Sequence, residues 1–92
     1  HLPVPDADGI LVGIVTTYDV TKAVARPGDR LLVKDIMTRK VVRTMPEEAV
    51  DIAAQKLDRN NISAMPVVDP ANRVIGMLTA LDLGKLVGGR WQ

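Results

Sequence analysis

The feature that most constrains this chain is an internal repeat: residues 2–24 lie over residues 65–87 without a gap, at a constant offset of 63. Eight of the 23 aligned positions are identical (Pro3/Pro66, Val4/Val67, Asp6/Asp69, Gly13/Gly76, Thr16/Thr79, Asp19/Asp82, Lys22/Lys85, Val24/Val87), and about half of the others exchange one aliphatic residue for another. A repeat fixes architecture before local propensity is weighed, because copies of one supersecondary unit bury their apolar faces against each other.

Each copy reads as strand, turn, strand, helix. Pro3-Val4 and Pro66-Val67-Val68 are short apolar runs closed by Asp6-Ala7-Asp8-Gly9 and Asp69-Pro70-Ala71-Asn72, residues that suit hairpin turns. Residues 10–15 and 74–78 are continuous apolar runs, the pattern of strands buried on both faces. After Thr16 and Thr79 the spacing turns helical, with Val20, Ala23 and Val24 in one copy and Leu83, Leu86 and Val87 in the other; Gly88-Gly89 is expected to end the second helix.

Between the copies, Arg26-Pro27-Gly28-Asp29 reads as a linker, Leu31-Leu32-Val33 as a short strand, Lys34-Asp35-Ile36-Met37 as a single turn and Val41-Val42 as another strand. A helix is predicted from about Pro46 to Arg59, with Val50, Ala53, Ala54 and Leu57 as its apolar stripe and Asn60-Asn61 closing it. The second copy is therefore a full strand, helix, strand, strand, helix unit. The first has only its last two strands and helix. The expected fold is α/β of the α+β type, two such repeats packed with pseudo-two-fold symmetry: residues 1–27 form the C-terminal half of the first, and 28–92 the linker and the complete second. A chain that opens in mid-unit is expected to expose apolar strand surface and to form a homodimer or take a strand from another chain.

Composition narrows the function. Ninety-two residues with no cysteine, one histidine (His1) and one serine (Ser63) leave no disulfides, zinc ribbons, thiol nucleophiles or Ser-His-Asp triads, so no enzymatic activity is expected. The lack of cysteine fits a reducing, cytoplasmic setting, and no apolar run approaches the roughly 20 residues that span a bilayer. Residues 22–43 carry seven bases against two acids, yet Tyr18 and Trp91 are the only aromatic residues, which argues against a base-stacking nucleic-acid surface.

The Thr-x-x-Asp segments, Thr16/Asp19 and Thr79/Asp82, carry the most chemistry. Threonine followed three residues later by an acid, between strand and helix, is close to a capping box. The same geometry serves a ligand: a helix start offers amides and a positive dipole end to an anion, and a carboxylate has two acceptor oxygens for the hydroxyls of a ribose. Both readings stand. Gly13 and Gly76, three residues before each Thr, are either packing contacts or places where a ligand approaches.

The strings Leu2-Pro3-Val4 with Gly13-Ile14-Val15-Thr16-Thr17-Tyr18-Asp19, Val33-Lys34-Asp35-Ile36-Met37-Thr38, Met65-Pro66-Val67-Val68-Asp69 and Gly76-Met77-Leu78-Thr79-Ala80-Leu81-Asp82 resemble the CBS (cystathionine β-synthase) domain, which usually occurs as a tandem pair, the Bateman module. The resemblance implies a regulatory module that senses an adenosyl compound, such as AMP, ADP, ATP or S-adenosylmethionine, and passes its occupancy to an attached domain or partner. It implies that Asp82 and Thr79 hold ribose and phosphate, with Val41, Val42, Ala64, Met65 and Pro66 around the base and Thr38 and Lys40 nearby. Thr16 and Asp19 would form the first site. The alternatives are a dimerisation module without ligand, its Thr-x-x-Asp motifs acting only as caps, or a regulatory fragment of a larger enzyme or transporter.

Overall fold

The structure, a computed structural model, describes residues 1–24, 28 and 30–91. Its elements are β1 (Leu2–Pro5), β2 (Leu11–Val15), α1 (Thr17–Val24), α2 (Val33–Ile36), α3 (Val50–Arg59), β3 (Ala64–Val68), β4 (Val74–Thr79) and α4 (Ala80–Trp91). The predicted linker lies outside the described residues except for Gly28, as do the side chains of Leu86, Val87 and Trp91.

The repeat is visible in the backbone. β1 and β2 pair antiparallel with Pro3 opposite Ile14 and Val4 opposite Gly13; β3 and β4 pair with Pro66 opposite Met77 and Val67 opposite Gly76. Even the bulge recurs, between Val4 and Pro5 and between Val67 and Val68. Each turn is tied by its first aspartate: Asp6 Oδ1 accepts the Asp8 and Ile10 amides, and Asp69 Oδ1 those of Ala71 and Arg73. Gly9 (φ 84°) and Asn72 (φ 67°) occupy the same left-handed turn position, which glycine adopts freely and asparagine tolerates.

The two hairpins meet through equivalent residues. Leu11 N–H donates to Asn72 O at 2.9 Å and Val74 N–H to Gly9 O at 3.1 Å, each partner the counterpart of the other at the 63-residue offset. That self-complementary pairing is the signature of a two-fold relation. Beneath it Leu11, Ile14, Val41 and Val68 form a core shared by both copies, with Val74 and Met77 against it; a second core, Ala53, Leu57 and Met65 with Val42, Leu78 and Leu83, lies under α3 and α4.

Several elements differ from expectation. Leu31-Leu32-Val33 is not a strand: the Leu32 amide donates to Asp35 Oδ2 at 2.9 Å, which starts a helical turn at Val33 instead. Val41-Val42 forms no strand either. Thr44 makes a single parallel bridge to Val67, its amide donating to Pro66 O (3.0 Å) and its carbonyl accepting from Val68 N–H (2.9 Å). The preceding rung would need an N–H from residue 66, and proline has none, so the ladder stops there. α3 starts at Val50, not Pro46, because Ala49 is extended (ψ 142°) and Glu48 is held in the preceding turn by Thr44 and Lys56. α4 runs through Gly88-Gly89 to Trp91, since glycine lowers helix stability by only about 1 kcal/mol per residue. β2 is largely buried as expected, but β4 is half-exposed, with Ile75 at 56%. The stripe on α1 buries nothing; Val20 and Val24 are exposed.

Candidate ligand-binding site

Both Thr-x-x-Asp segments fold as reciprocal caps. At the start of α1, Asp19 Oδ2 accepts the Thr16 amide (2.9 Å) and hydroxyl (3.1 Å), while Thr16 Oγ1 accepts the Asp19 amide (3.2 Å). At the start of α4 the same bonds link Thr79 and Asp82, at 3.0, 2.9 and 3.1 Å. Aspartate is one methylene shorter than the usual glutamate, yet it closes the box in both copies. The bonds to each carboxylate use Oδ2 alone, and Oδ1 of either aspartate takes no bond among the described residues. The hydrogen bonds from the Thr79 hydroxyl and backbone hold the Asp82 carboxyl below its ordinary value, so it is ionised at neutral pH.

The two boxes have different surroundings. Thr16 and Asp19 are half-buried between two clefts. One, of about 210 Å³, runs between α1 and α2, with Asp19, Lys22 and Asp35 as its charged walls and Ala23, Leu31 and Ile36 as its apolar ones. The other, of about 560 Å³, is lined by His1, Thr16, Thr17 and Tyr18 from the first copy and Asn61, Ile62 and Ser63 from the second. Asp82 stands exposed at the start of α4, with Ala64 directly opposite Thr79 in the sheet.

The remaining candidates divide. Met65 and Pro66 are fully buried and Ala64 and Val41 nearly so, Val41 in the shared core and Met65 in the second, against which the half-buried Val42 also packs. Thr38 pairs with Ile14, far along the chain from Thr79, its amide and carbonyl both at 2.9 Å from that residue's carbonyl and amide. Lys40 is exposed. The glycines also separate: a Cβ on Gly13 would lie 2.5 Å from Met37 Sδ and 3.1 Å from the Thr38 carbonyl, whereas one on Gly76 would meet only Val67 Cβ at 3.8 Å. Gly13 is thus a packing glycine.

Arg43, one of the seven bases of residues 22–43, is not a free surface charge. Its Nε donates to Val41 O at 3.2 Å and its Nη1 to Asn72 Oδ1 at 2.6 Å, joining the segment beside β3 to the hairpin turn. Asn72 in turn donates to Leu11 O at 3.4 Å and so reaches the first copy. The signal lay in the repeat itself: residue 72 is asparagine where the first copy has glycine, although glycine alone satisfies the turn. Alongside, Thr44 donates to Glu48 at 2.7 Å and Lys56 Nζ lies 2.9 Å from both Glu48 oxygens and from Arg43 O, fixing this segment to α3. No helix among the described residues is long and apolar enough to cross a membrane.

Known proteins share this arrangement. The CBS domain pair of protein MJ0100, solved with 5′-methylthioadenosine and S-adenosyl-L-methionine, superimposes with a TM-score of 0.86 at 43% identity, covering 97% of this chain and 70% of that one. CBSX2 in complex with AMP superimposes with a TM-score of 0.84 at 26% identity, over 99% of this chain and 72% of that one. A homoserine O-acetyltransferase of Methanococcoides burtonii is 47% identical over 96% of this chain but only 18% of its own length. The chain spans less than a fifth of the curated relatives it matches. Residues 33–89 match the CBS domain model, and with the register, the two-fold pairing and the paired Thr-x-x-Asp caps on the same fold, the chain belongs to the CBS domain family.

Proposed function

We propose that this chain is a regulatory module that binds an adenosyl compound at its Thr-x-x-Asp sites and conveys occupancy to an attached domain or partner. The observation that carries the reading is the likeness, over nearly the whole chain, to a CBS pair that holds two adenosyl compounds. The cap geometry supports it: a carboxylate whose Oδ2 is already oriented by the helix start keeps Oδ1 for a ribose hydroxyl, beside the positive dipole end of the helix. Capping and binding are then one arrangement, since the bonds that close the helix also fix the carboxylate that meets the sugar.

The site residues follow from that role. Asp19 and Asp82 hold ribose, Thr16 and Thr79 lie toward the substituent at the 5′ carbon, and the half-buried Val42, with the backbone edges at Val41 and residues 64–66, borders the base; Thr38 and Lys40 lie at the margin. Transmission is a population shift: ligand bound where both copies meet favours one arrangement of the copies over another, and only such a preference moves the equilibrium. The functional unit is a homodimer in the cytoplasm, and the attached domain belongs to an enzyme of the kind its longer relatives are named for.

A thermal-shift panel of AMP, ADP, ATP, NAD and S-adenosylmethionine tests this. A ligand at one hundred times its Kd stabilises the folded state by about 2.7 kcal/mol. Asp82→Ala is expected to reduce the shift while the protein stays folded. Silence across the panel refutes the reading.

A further inference from the structure

The segment Val41-Val42-Arg43 has no ladder of its own. Among the described residues no backbone–backbone hydrogen bond reaches it, and the nearest is the bridge that Thr44 makes to Pro66 and Val68. Side chains set its course instead. Arg43 Nε donates to Val41 O at 3.2 Å, its Nη1 donates to Asn72 Oδ1 at 2.6 Å, and its carbonyl accepts from Lys56 Nζ at 2.9 Å. The guanidinium thus ties the Val41 carbonyl to a turn 29 residues further along the chain than Arg43 itself.

Asn72 carries that tie into the first copy. Its backbone sits at φ 67°, a turn position that Gly9 fills in the first copy without any side chain, so the turn itself does not call for an amide. Both ends of the amide are nonetheless used: Oδ1 accepts from Arg43, and Nδ2 donates to Leu11 O at 3.4 Å. Since the Leu11 N–H also donates to Asn72 O at 2.9 Å, one residue holds both backbone polar groups of a buried position in β2. The contacts run from Val41 through Arg43 and Asn72 to Leu11. Val41 and Leu11 also share an apolar core, but apolar burial has no direction, whereas the planar guanidinium fork fixes both distance and angle.

We propose, on the reading that Val41 and Val42 border the base, that Arg43 and Asn72 are positioning residues which couple the arrangement of the two copies to the shape of the second site. When Leu11 moves relative to the turn of residues 69–72, Asn72 moves with it, Arg43 follows, and the border at Val41-Val42 shifts. Neither residue touches ligand. Their effect on binding is exerted through the Val41 carbonyl, and Lys56 extends the same tie to α3 through the Arg43 carbonyl.

Two variants separate the halves of the link. Asn72→Gly keeps the turn and removes both side-chain bonds; Asn72→Asp tolerates the same turn and keeps an acceptor for Arg43, but sets a carboxylate oxygen against Leu11 O. In the ligand-free protein, amide-resolved NMR is expected to show the Val41 and Val42 amides shifted in Asn72→Gly and near their original positions in Asn72→Asp, with faster hydrogen exchange at the Leu11 amide in both. In an Asp19→Ala background, where the Asp82 site alone remains, calorimetry with AMP and with S-adenosylmethionine reads the affinity. Adding Asn72→Gly is expected to raise Kd at least about tenfold, or 1.4 kcal/mol, and adding Asn72→Asp to leave it within about twofold. Unmoved Val41 and Val42 amides in Asn72→Gly overturn the proposal, as does a lowered Tm with Kd unchanged, the mark of a merely structural bond. Binding of neither probe to the unaltered protein overturns the reading of the site instead, and the amide shifts then decide the link alone.

Discussion

Gly13 and Gly76 occupy the same repeat position and should respond oppositely to the same change. In Gly13→Ala the new Cβ meets Met37 Sδ at 2.5 Å, Met37 Cγ at 2.9 Å and the Thr38 carbonyl at 3.1 Å. The methionine can swing aside, but the carbonyl is held by its 2.9 Å bond from Ile14, so relief requires loosening the bridge between the copies. Overpacking of this kind costs about 1–3 kcal/mol. For a domain of 60–100 residues each kcal/mol moves Tm by about 4–8 °C, so the variant should melt at least about 4 °C lower. In Gly76→Ala the nearest atom is Val67 Cβ at 3.8 Å, an ordinary contact, and replacing glycine at a compatible position stabilises by about 0.4–1 kcal/mol. Thermal and urea melts of both variants read the difference directly. Equal shifts of the same sign would refute the claim that residues 37–38 cover one glycine and leave the other open.

Further outcomes follow from the polar contacts. Thr79→Ala removes the hydroxyl that caps α4 and should cost about 1 kcal/mol, seen as a lower urea midpoint with unchanged slope. Asn72→Gly keeps the left-handed turn but deletes the bonds to Arg43 and Leu11; a hydrogen bond to a charged group contributes about 1.5–3 kcal/mol, and Asn72→Ala should be worse, because alanine also resists φ 67°. Hydrogen bonds from Lys56 and then Thr44 hold Glu48 below its ordinary 4.5, as those from Thr79 hold Asp82 below 3.8. With both folded pKa values depressed, their stabilisation is complete above about pH 4.5 and is lost as pH falls through the lowered values. Urea melts between pH 6 and 3 should show that loss, and Glu48→Gln should flatten it.

The repeat made the hairpins, their turns and the caps of α1 and α4 legible, because each depends on residues a few positions apart. What it hid depends on partners distant in sequence. The Val41-Val42 strand fails because Pro66, more than twenty residues on, lacks one N–H. The anchoring of Arg43 was hidden because its acceptor on Asn72 lies 29 residues away in the chain. Gly13 could not be told from Gly76 by spacing, since what differs is whether Met37 or open space lies behind it. The candidate site was legible as motif only: the carboxylates are where the spacing put them, while Met65 and Pro66, expected around a base, are fully buried in the core.

The central claim is that the Asp19 and Asp82 carboxylates hold the hydroxyls of a ribose, and calorimetric titration with an adenosyl ligand and its 2′-deoxy counterpart tests it most directly. Loss of a hydrogen bond to a charged group should weaken binding of the deoxy compound by roughly tenfold or more, and the difference should disappear in the Asp19→Ala, Asp82→Ala double variant. Equal affinities for the two compounds in the unaltered protein, or a difference that survives in the double variant, would contradict it.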